Sequence, residues 1–372
     1  MNAGRLKVLF AGGGTGGHIY PALATWQAVR EMTDAEVLFI GGKSGMEKDL
    51  IPSEGLPFKS ITVSGFHRYL TPRNLLFPFK LLAALWQSRK VIKEFQPQVV
   101  IGTGGYVSGP VVYTAAKKGI PTLIEEQDSY PGITTRLLAR HADVICLAHA
   151  DAEKHLTGVK GEVLVTGNPL RLNLKFRSRE EAAAEWGFDP EKPIVLVFGG
   201  SSGARALNEA FSRIAPDIIR ETAAQILWQS GKNQYDLYQL KPAAKLPGVK
   251  LVPYLNDMGL AYSAADVIIS RAGAITLAEL ALAEKPAILV PYPAAAGNHQ
   301  LHNAKTAENG GAALVVPEGE RFFTNLNAAI IDLLNDAEKR ARMGQAWKQF
   351  QKPDAARKIA EKILELANDK IR

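Results

Sequence analysis

The feature that most constrains this chain is a rhythm in which short, β-branched apolar runs alternate with segments of helical period. The runs read KVLFAG, EVLFIGG, QVVIGTGG, PTLIEEQ, DVICLA and EVLVTGNP. After the charged, alanine-rich RSREEAAAEWG the series restarts with PIVLVFGGSSGA, AQILWQSG, VKLVPYL, DVIISRAG, PAILVPYP and AALVVPEG. Runs of this kind between helices are the pattern of parallel strands buried on both faces. Both halves open alike, with strand, glycine-rich turn and helix: VLFAGGGTGGHIYPALA and VLVFGGSSGARALNEAF. The 372 residues, 47% hydrophobic, suffice for two cores. The expected fold class is therefore α/β, with two Rossmann-like doubly wound domains separated by a deep cleft at the carboxyl ends of their strands. The expected domains are 1–171 and 172–348. A final segment, 349–372, carries the amphipathic AARKIAEKILELANDKI, expected to pack back toward the N-terminal domain.

Composition removes several function classes. The single cysteine, Cys146, permits no internal disulfide and no cysteine-based zinc site, and the amino terminus runs straight into the strand-like LKVLFA, so a cytoplasmic setting is expected. No apolar stretch approaches the roughly 20 residues of a spanning helix, which leaves peripheral contact as the route to a bilayer. A net charge of +7 calls for an anionic partner. Nucleic acid is not expected, because the basic residues are not interleaved with stacking aromatics and no zinc-finger or RNP-type motif occurs.

The glycine-rich turns carry the first chemistry. Without a Cβ, backbone N–H groups can approach a phosphate at a helix amino terminus, and Gly12, Gly13, Gly14, Gly16 and Gly17 sit at such a turn, although a tight connection without ligand has the same signature. GTGGYVSGP (102–110) and GGSSGA (199–204) also follow strands. A dinucleotide site would need an acid at the end of the second strand, where Gly41 and Gly42 stand, so a dehydrogenase is disfavoured.

GGGTGGHIYPALA, GTGGYVSGP, EEQDSYPG, TGNPLR, GGSSGA, SRAGAITLAEL and KPAILVPYPAAAGNHQLHNA occur in this order between Gly12 and Asn303. In this combination the chain resembles the MurG family of N-acetylglucosaminyltransferases. The resemblance implies a GT-B architecture. It also implies an inverting hexosyl transfer, from UDP-GlcNAc to the 4-hydroxyl of MurNAc in undecaprenyl-pyrophosphoryl-MurNAc-pentapeptide, the lipid I to lipid II step of peptidoglycan synthesis. The runner-up is another UDP-sugar enzyme of the same architecture; a silent nucleotide-binding protein is excluded by no motif, since fold does not fix function.

The resemblance also implies roles. For the donor it points to Arg171, Ser201, Leu255, Arg271, the turn Ala274, Ile275 and Thr276, Glu279 as ribose ligand, and His299 and Gln300 for the sugar, with Thr15, Gly16, Gly17 and Asp128 contributing. For the acceptor it points to Gly13, Gly14, Thr15, Gly104, Gly105, Tyr106 and Gln127. Single-displacement inversion requires one base. His18 is the candidate, against the alternative of a helix-start histidine that orients substrate, and Glu126 is its rival. The family commonly reads His-Glu-Gln-Asn where this chain has Glu125, Glu126, Gln127 and Asp128, which puts the roles of Glu125 and Asp128 in doubt. No Asp-x-Asp appears in these motifs, so no cofactor is expected to be required, with a weakly bound magnesium as the alternative.

Between Glu54 and Glu94 there are seven Lys or Arg residues and no acid. Within that stretch Leu75, Leu76, Phe77, Phe79, Leu82 and Trp86 are set among cations including Lys80, a composition suited to anionic headgroups, where each basic residue contributes about 1 kcal/mol. The opposing reading buries these apolar residues in the domain core. Expected partners are therefore UDP-GlcNAc, an undecaprenyl-linked acceptor, an anionic membrane surface on the cytoplasmic face, and other cell-wall enzymes.

Overall fold

A computed structural model describes residues 5–63, 77–170, 174–200 and 203–369. The chain divides into two compact units, Met1–Arg171 with Lys352–Arg372, and Leu172–Gln351. The final segment differs from expectation at its edge. Gln351 belongs to the second unit, where its amide donates to the Ala281 carbonyl (2.8 Å) and to Glu284 (2.9 Å), so the return begins at Lys352 rather than at 349.

The first unit holds a seven-stranded parallel sheet in the order β3-β2-β1-β4-β5-β6-β7. Its strands are β1 (Leu6–Ala11), β2 (Ala35–Gly42), β3 (Phe58–Ile61), β4 (Val99–Gly102), β5 (Thr122–Glu126), β6 (Val144–Leu147) and β7 (Glu162–Val165). Its helices are α1 (Gly16–Met32), α2 (Glu47–Ser53), α3 (Phe77–Phe95), α4 (Gly105–Lys117) and α5 (Ile133–Leu138), and the chain's last helix returns to it. The central strands β1 and β4 are buried almost throughout, because helices cover both faces, which is why their sequences read as unbroken apolar runs. β3 was not anticipated. FKSI is a short edge strand, half exposed, and only its pairing with β2 identifies it.

The second unit repeats the plan in six parallel strands, ordered β10-β9-β8-β11-β12-β13. They are β8 (Ile194–Phe198), β9 (Gln225–Gln229), β10 (Val249–Val252), β11 (Val267–Ser270), β12 (Ala287–Leu289) and β13 (Ala313–Val315). The helices used below are α6 (Arg179–Trp186), α7 (Arg205–Thr222), α8 (Met258–Ala264), α9 (Ala274–Ala283) and α10 (His299–Asn309). α6 has the signals of a deliberate start and stop: a Ser178 and Glu181 capping box, and Gly187 in the left-handed region at its end. In each sheet the strand order reverses once, between β1 and β4 and between β8 and β11. Connections leave these neighbouring strands toward opposite faces, so the loops beyond their carboxyl ends part and a crevice opens.

The last helix, α11 (Ala355–Asp369), packs on α1. Ala356, Ile359, Ala360, Ile363 and Ala367 are buried with Leu23, Trp26 and Val29 of α1 in one cluster. Spacings of three and four residues put these apolar positions on one face, and burial there completes the first unit's core. Truncating Ile359, which is wholly buried, removes packing that no surface side chain replaces. Ile359→Ala is expected to destabilise the first unit by about 3 kcal/mol. The check is urea unfolding followed by amide exchange, with protection reduced in the first unit and kept in the second.

Candidate active site

In the first unit, two glycine loops meet at the reversal point. Gly12–Thr15 follows β1 and leads into α1, with Thr15 at the N-cap position in extended geometry; Thr103–Gly104 follows β4 and leads into α4. Gly104 and Gly105 have φ of +102° and +77°, where a side chain is strained. A Cβ on Gly105 would strike the Gly13 carbonyl, and one on Gly104 would strike the His18 ring. The loops are therefore glycine-rich so that two backbones and a ring can lie against one another. Side chains tie the contact: Thr103 donates to the His18 carbonyl (2.8 Å), and Ser108 donates to the Ala11 carbonyl (2.6 Å). Gly16 and Gly17 form the first turn of α1, and Tyr106, on the first turn of α4, is 59% exposed at the same edge.

His18 stands in the centre of this arrangement. Its Nδ1 lies 2.9 Å from the Gly13 carbonyl oxygen and 3.3 Å from Thr15 Oγ1. A carbonyl can only accept, so Nδ1 carries the proton and the neutral ring has its lone pair on Nε2. That is the tautomer a proton acceptor needs.

The EEQD segment has a different character from the one its acids suggest. Glu125 and Glu126 are both buried at the end of β5. Burial pushes the Glu125 carboxyl well above the usual range; the Gln127 amide donates to it and to the Thr103 carbonyl (2.9 Å). Burial, then the neighbouring Asp128, raises Glu126 to about 7, while its carboxylate accepts from the Asp128 and Gly132 amides (3.2 and 3.0 Å) and from Thr135. Glu126 thus closes its own loop, and it is only 4% exposed. Gln127 is buried as well, its carbonyl accepting from Asn168 (3.1 Å), and Asp128 is half-buried.

The second unit places its loops at the equivalent reversal point. Gly200 and Gly203 take positive φ, and a Cβ on Gly203 would strike the Ser230 carbonyl, so the β8 loop closes tightly onto β9. Sequence reasoning missed the side chains that hold it there. The Asn208 amide donates to Ser230 O (2.8 Å) while its oxygen accepts from Trp228 (2.8 Å), and Gln229 donates to Gly200 O (3.0 Å). Asn208 on one helix face and the polar ends of β9 were the signals available. After β11, Gly273 caps α9 with no side-chain acceptor, and Ala274, Ile275 and Thr276 form the first turn, the positive end of the helix dipole. Glu279 lies one turn on, half-buried, and accepts from Tyr262 (2.8 Å). Tyr262 is fully buried, and burial beside Glu279 pushes its hydroxyl well up, so it remains a donor at any working pH. Tyr262 too was missed, because it sits in an alanine-rich run that reads as plain core.

The other expected donor residues divide into two kinds. Gln300, half-buried near the start of α10, accepts from the Tyr292 amide (2.9 Å), and His299 opens that helix, next to Asn298 in the left-handed region. Leu255 and Arg271 have structural surroundings. Leu255 is a buried core side chain, and Arg271 pairs with Glu318 (2.6 Å) and donates to the Val290 carbonyl (3.0 Å). Arg171 and Ser201 lie outside the described residues, as do Leu75 and Leu76. Among the described residues, no group of three His, Cys, Asp or Glu stands together as a metal site.

The buried acids make the first unit's stability depend on pH. Folded, Glu126 keeps its proton to about pH 7, whereas an unfolded glutamate loses it near 4.5, so between those values the folded state binds the extra proton. Stability therefore falls as pH rises through this window, by on the order of 3 kcal/mol, with Glu125 adding to the same slope. Unfolding midpoints in urea at pH 5 and pH 8 should show this loss, and Glu126→Gln should reduce the difference whatever it does to absolute stability.

Comparison with known proteins agrees over nearly the whole chain. Residues 8–147 match the glycosyltransferase family 28 N-terminal domain, and residues 194–359 match the family's C-terminal domain. The proteins called UDP-N-acetylglucosamine--N-acetylmuramyl-(pentapeptide) pyrophosphoryl-undecaprenol N-acetylglucosamine transferase are similar at full length. The one from Halothermothrix orenii is 41% identical over 97% of this chain and 99% of its own, and that from Clostridioides difficile 39% over 98% and 90%. The crystal structure of Acinetobacter baumannii MurG superposes with a TM-score of 0.75 at 30% identity, covering 97% of this chain and 99% of that one. A UDP complex of S. aureus MnaA shares the fold alone, at 16% identity and a TM-score of 0.68 over 98% and 97%. The chain belongs to glycosyltransferase family 28, among the MurG N-acetylglucosaminyltransferases.

Proposed function

We propose that this chain transfers N-acetylglucosamine from UDP-GlcNAc to the 4-hydroxyl of the MurNAc residue of an undecaprenyl-pyrophosphoryl-linked muramyl-pentapeptide, with inversion. The observation that carries the reading is the 2.9 Å approach of His18 Nδ1 to the Gly13 carbonyl oxygen, from which the tautomer follows. The group best suited to take the hydroxyl proton has its Nδ1 held by the Gly13 carbonyl, within a full-length likeness to transferases of that name. In the displacement, the acceptor oxygen bonds to the anomeric carbon as the bond to UDP breaks. His18 Nε2 takes the proton, and the departing diphosphate gains charge. The first turn of α9 supplies oriented amides for that charge, and Glu279, held by Tyr262, accepts from ribose hydroxyls. Gln300 and His299 face the sugar from the start of α10, and Tyr106 with the Gly104–Gly105 backbone serves the acceptor.

Leaving-group stabilisation by amides requires no metal, so transfer should persist within about two-fold in excess EDTA, with magnesium acting only as a weak counter-ion to the diphosphate.

A lipid-linked acceptor has to be met at a membrane, and α3 has the surface for it. Among the described residues no helix is long and apolar enough to cross a bilayer. On α3, Ala84, Ser88, Val91 and Ile92 face inward, while Phe79, Leu82 and Trp86 are 70%, 64% and 65% exposed, with Phe77 and Lys80 half-buried and Arg89 and Lys90 exposed. Large apolar side chains left in solvent beside cations suit insertion among anionic headgroups. The reading is peripheral attachment at the cytoplasmic face, where other cell-wall enzymes would also be met.

The test follows radiolabelled GlcNAc from UDP-GlcNAc into lipid extract with a short-chain acceptor. Wild type should release one UDP per label transferred. His18→Ala should lower kcat by 10²-fold or more, roughly the contribution of a general base. Glu279→Ala should act mainly on donor KM. Label absent from lipid despite tight UDP-GlcNAc binding would reject the acceptor and favour another UDP-sugar enzyme. Sedimentation with anionic vesicles checks the surface: replacing Phe79, Leu82 and Trp86 with serine should weaken binding more than ten-fold, since each loses about 1.5–3 kcal/mol of burial.

A further inference from the structure

Glu47 is a buried carboxylate at the start of α2, 2% exposed, and the reaction scheme does not use it. Its Oε1 accepts from the Gly42 amide at 2.7 Å and its Oε2 from the Gly14 amide at 2.9 Å. A Cβ on Gly13, Gly41 or Gly45 would collide with the Glu47 side chain, so three glycines around the β1 and β2 loops leave room for this group.

The Gly14 amide and the Gly13 carbonyl belong to one peptide plane. One end donates to Glu47 Oε2 (2.9 Å) and the other accepts from His18 Nδ1 (2.9 Å). A carboxylate on the N–H side makes the peptide a better acceptor on its carbonyl side, because hydrogen bonds in series polarise one another. It also fixes the plane's orientation: a flip of the Gly13–Gly14 peptide, which glycine would otherwise permit, breaks both bonds. We infer that Glu47 is a positioning residue that acts on His18 through the Gly13–Gly14 peptide, holding the imidazole in its Nδ1-protonated form and raising the basicity of Nε2. The arrangement is a carboxylate–histidine pair with one peptide unit between the partners, and it rests on the proposed role of His18 as base. The same carboxylate takes up the Gly14 and Gly42 amides, so those two donors belong to the chain itself.

The experiment reads the ring directly. Full-length wild type, Glu47→Gln and, to assign the signal, His18→Gln are labelled with ¹⁵N-histidine, and long-range ¹H–¹⁵N spectra report the tautomer. In Glu47→Gln one carboxylate oxygen becomes an NH₂ facing a backbone N–H, which breaks the series. The Nε2-protonated form of His18 should rise at least several-fold. In the transfer assay kcat should fall about ten-fold or more, donor KM should stay within two-fold, and the acid limb of the kcat/KM profile should move to lower pH. A folded Glu47→Gln with unchanged tautomer and unchanged pH profile overturns the inference. If that variant does not fold, Glu47→Asp takes its place, keeping both oxygens but drawing them back by one methylene; the same tautomer and pH shifts are expected of it, and their absence likewise overturns the inference. A tautomer shift in a chain whose wild type transfers no GlcNAc would sink the proposed reaction and leave the Glu47 relay standing.

Discussion

Where β1 and β4 part, two backbones approach more closely than any side chain would allow, and the first unit's site is built on that approach. Gly105 lies against the Gly13 carbonyl and Gly104 against the His18 ring. A methyl group at either glycine would separate the loops, and with them the carbonyl that selects the histidine tautomer. The parallel sheet makes the approach available. Only at the reversal of strand order do neighbouring strands send their connections to opposite faces, leaving room between the loops for a backbone rather than a helix. The second unit uses its own reversal differently, placing the amino terminus of α9 at that edge while Asn208, Trp228 and Gln229 hold the neighbouring loop.

The glycine-rich turn before α1 and the turn that leads into α9 differ in electrostatics. In the first unit, the amides of Gly14 and Gly42 are taken by Glu47. In the second, α9 is entered through Gly273, which brings no side chain of its own to that helix end. A loop whose amides are met by an internal carboxylate is held in one geometry and carries His18; a helix amino terminus entered through glycine leaves space for a diphosphate whose charge rises as it leaves. This division follows the proposed chemistry, with the proton handled by one unit and the leaving group by the other.

Much of this was legible in the sequence for physical reasons. Strands covered on both faces must be apolar along their length, which made the central strands legible as runs, and the two strand–glycine–helix openings gave the repeat. β3 escaped because its four residues, FKSI, carry a lysine and a serine at the centre and so form no apolar run. The site was legible where the backbone demanded glycine, and obscure where a side chain's role depends on a partner distant in sequence. Glu47 reads as an ordinary first-turn acid of a short helix, and Tyr262 as core. Only the fold brings Glu47 to Gly14, 33 residues away, and Tyr262 to Glu279, 17 residues away. For α3 the sequence left two readings open, and exposure bears on one of them: the inward face is Ala84, Ser88, Val91 and Ile92, so Phe79, Leu82 and Trp86 are not part of the domain core.

The EEQD segment shows why composition misleads about charge at a site. Three acids in four residues would repel a pyrophosphate-linked acceptor if all were ionised, and the first two stand at the end of β5, beside the loops that carry His18. Burial removes most of that difficulty. Burial raises the Glu125 carboxyl well above the usual range and Glu126 to about 7, so near neutrality this strand end carries less charge than three acids in four residues suggest. The Glu125 carboxyl accepts from the Gln127 amide, and the same amide donates to the Thr103 carbonyl, so the two side chains hold the end of β5 against the β4 loop. Glu125 thus serves the loop after β5 as a buried hydrogen-bonding group, and the burial that raises its carboxyl comes from the strand end it occupies.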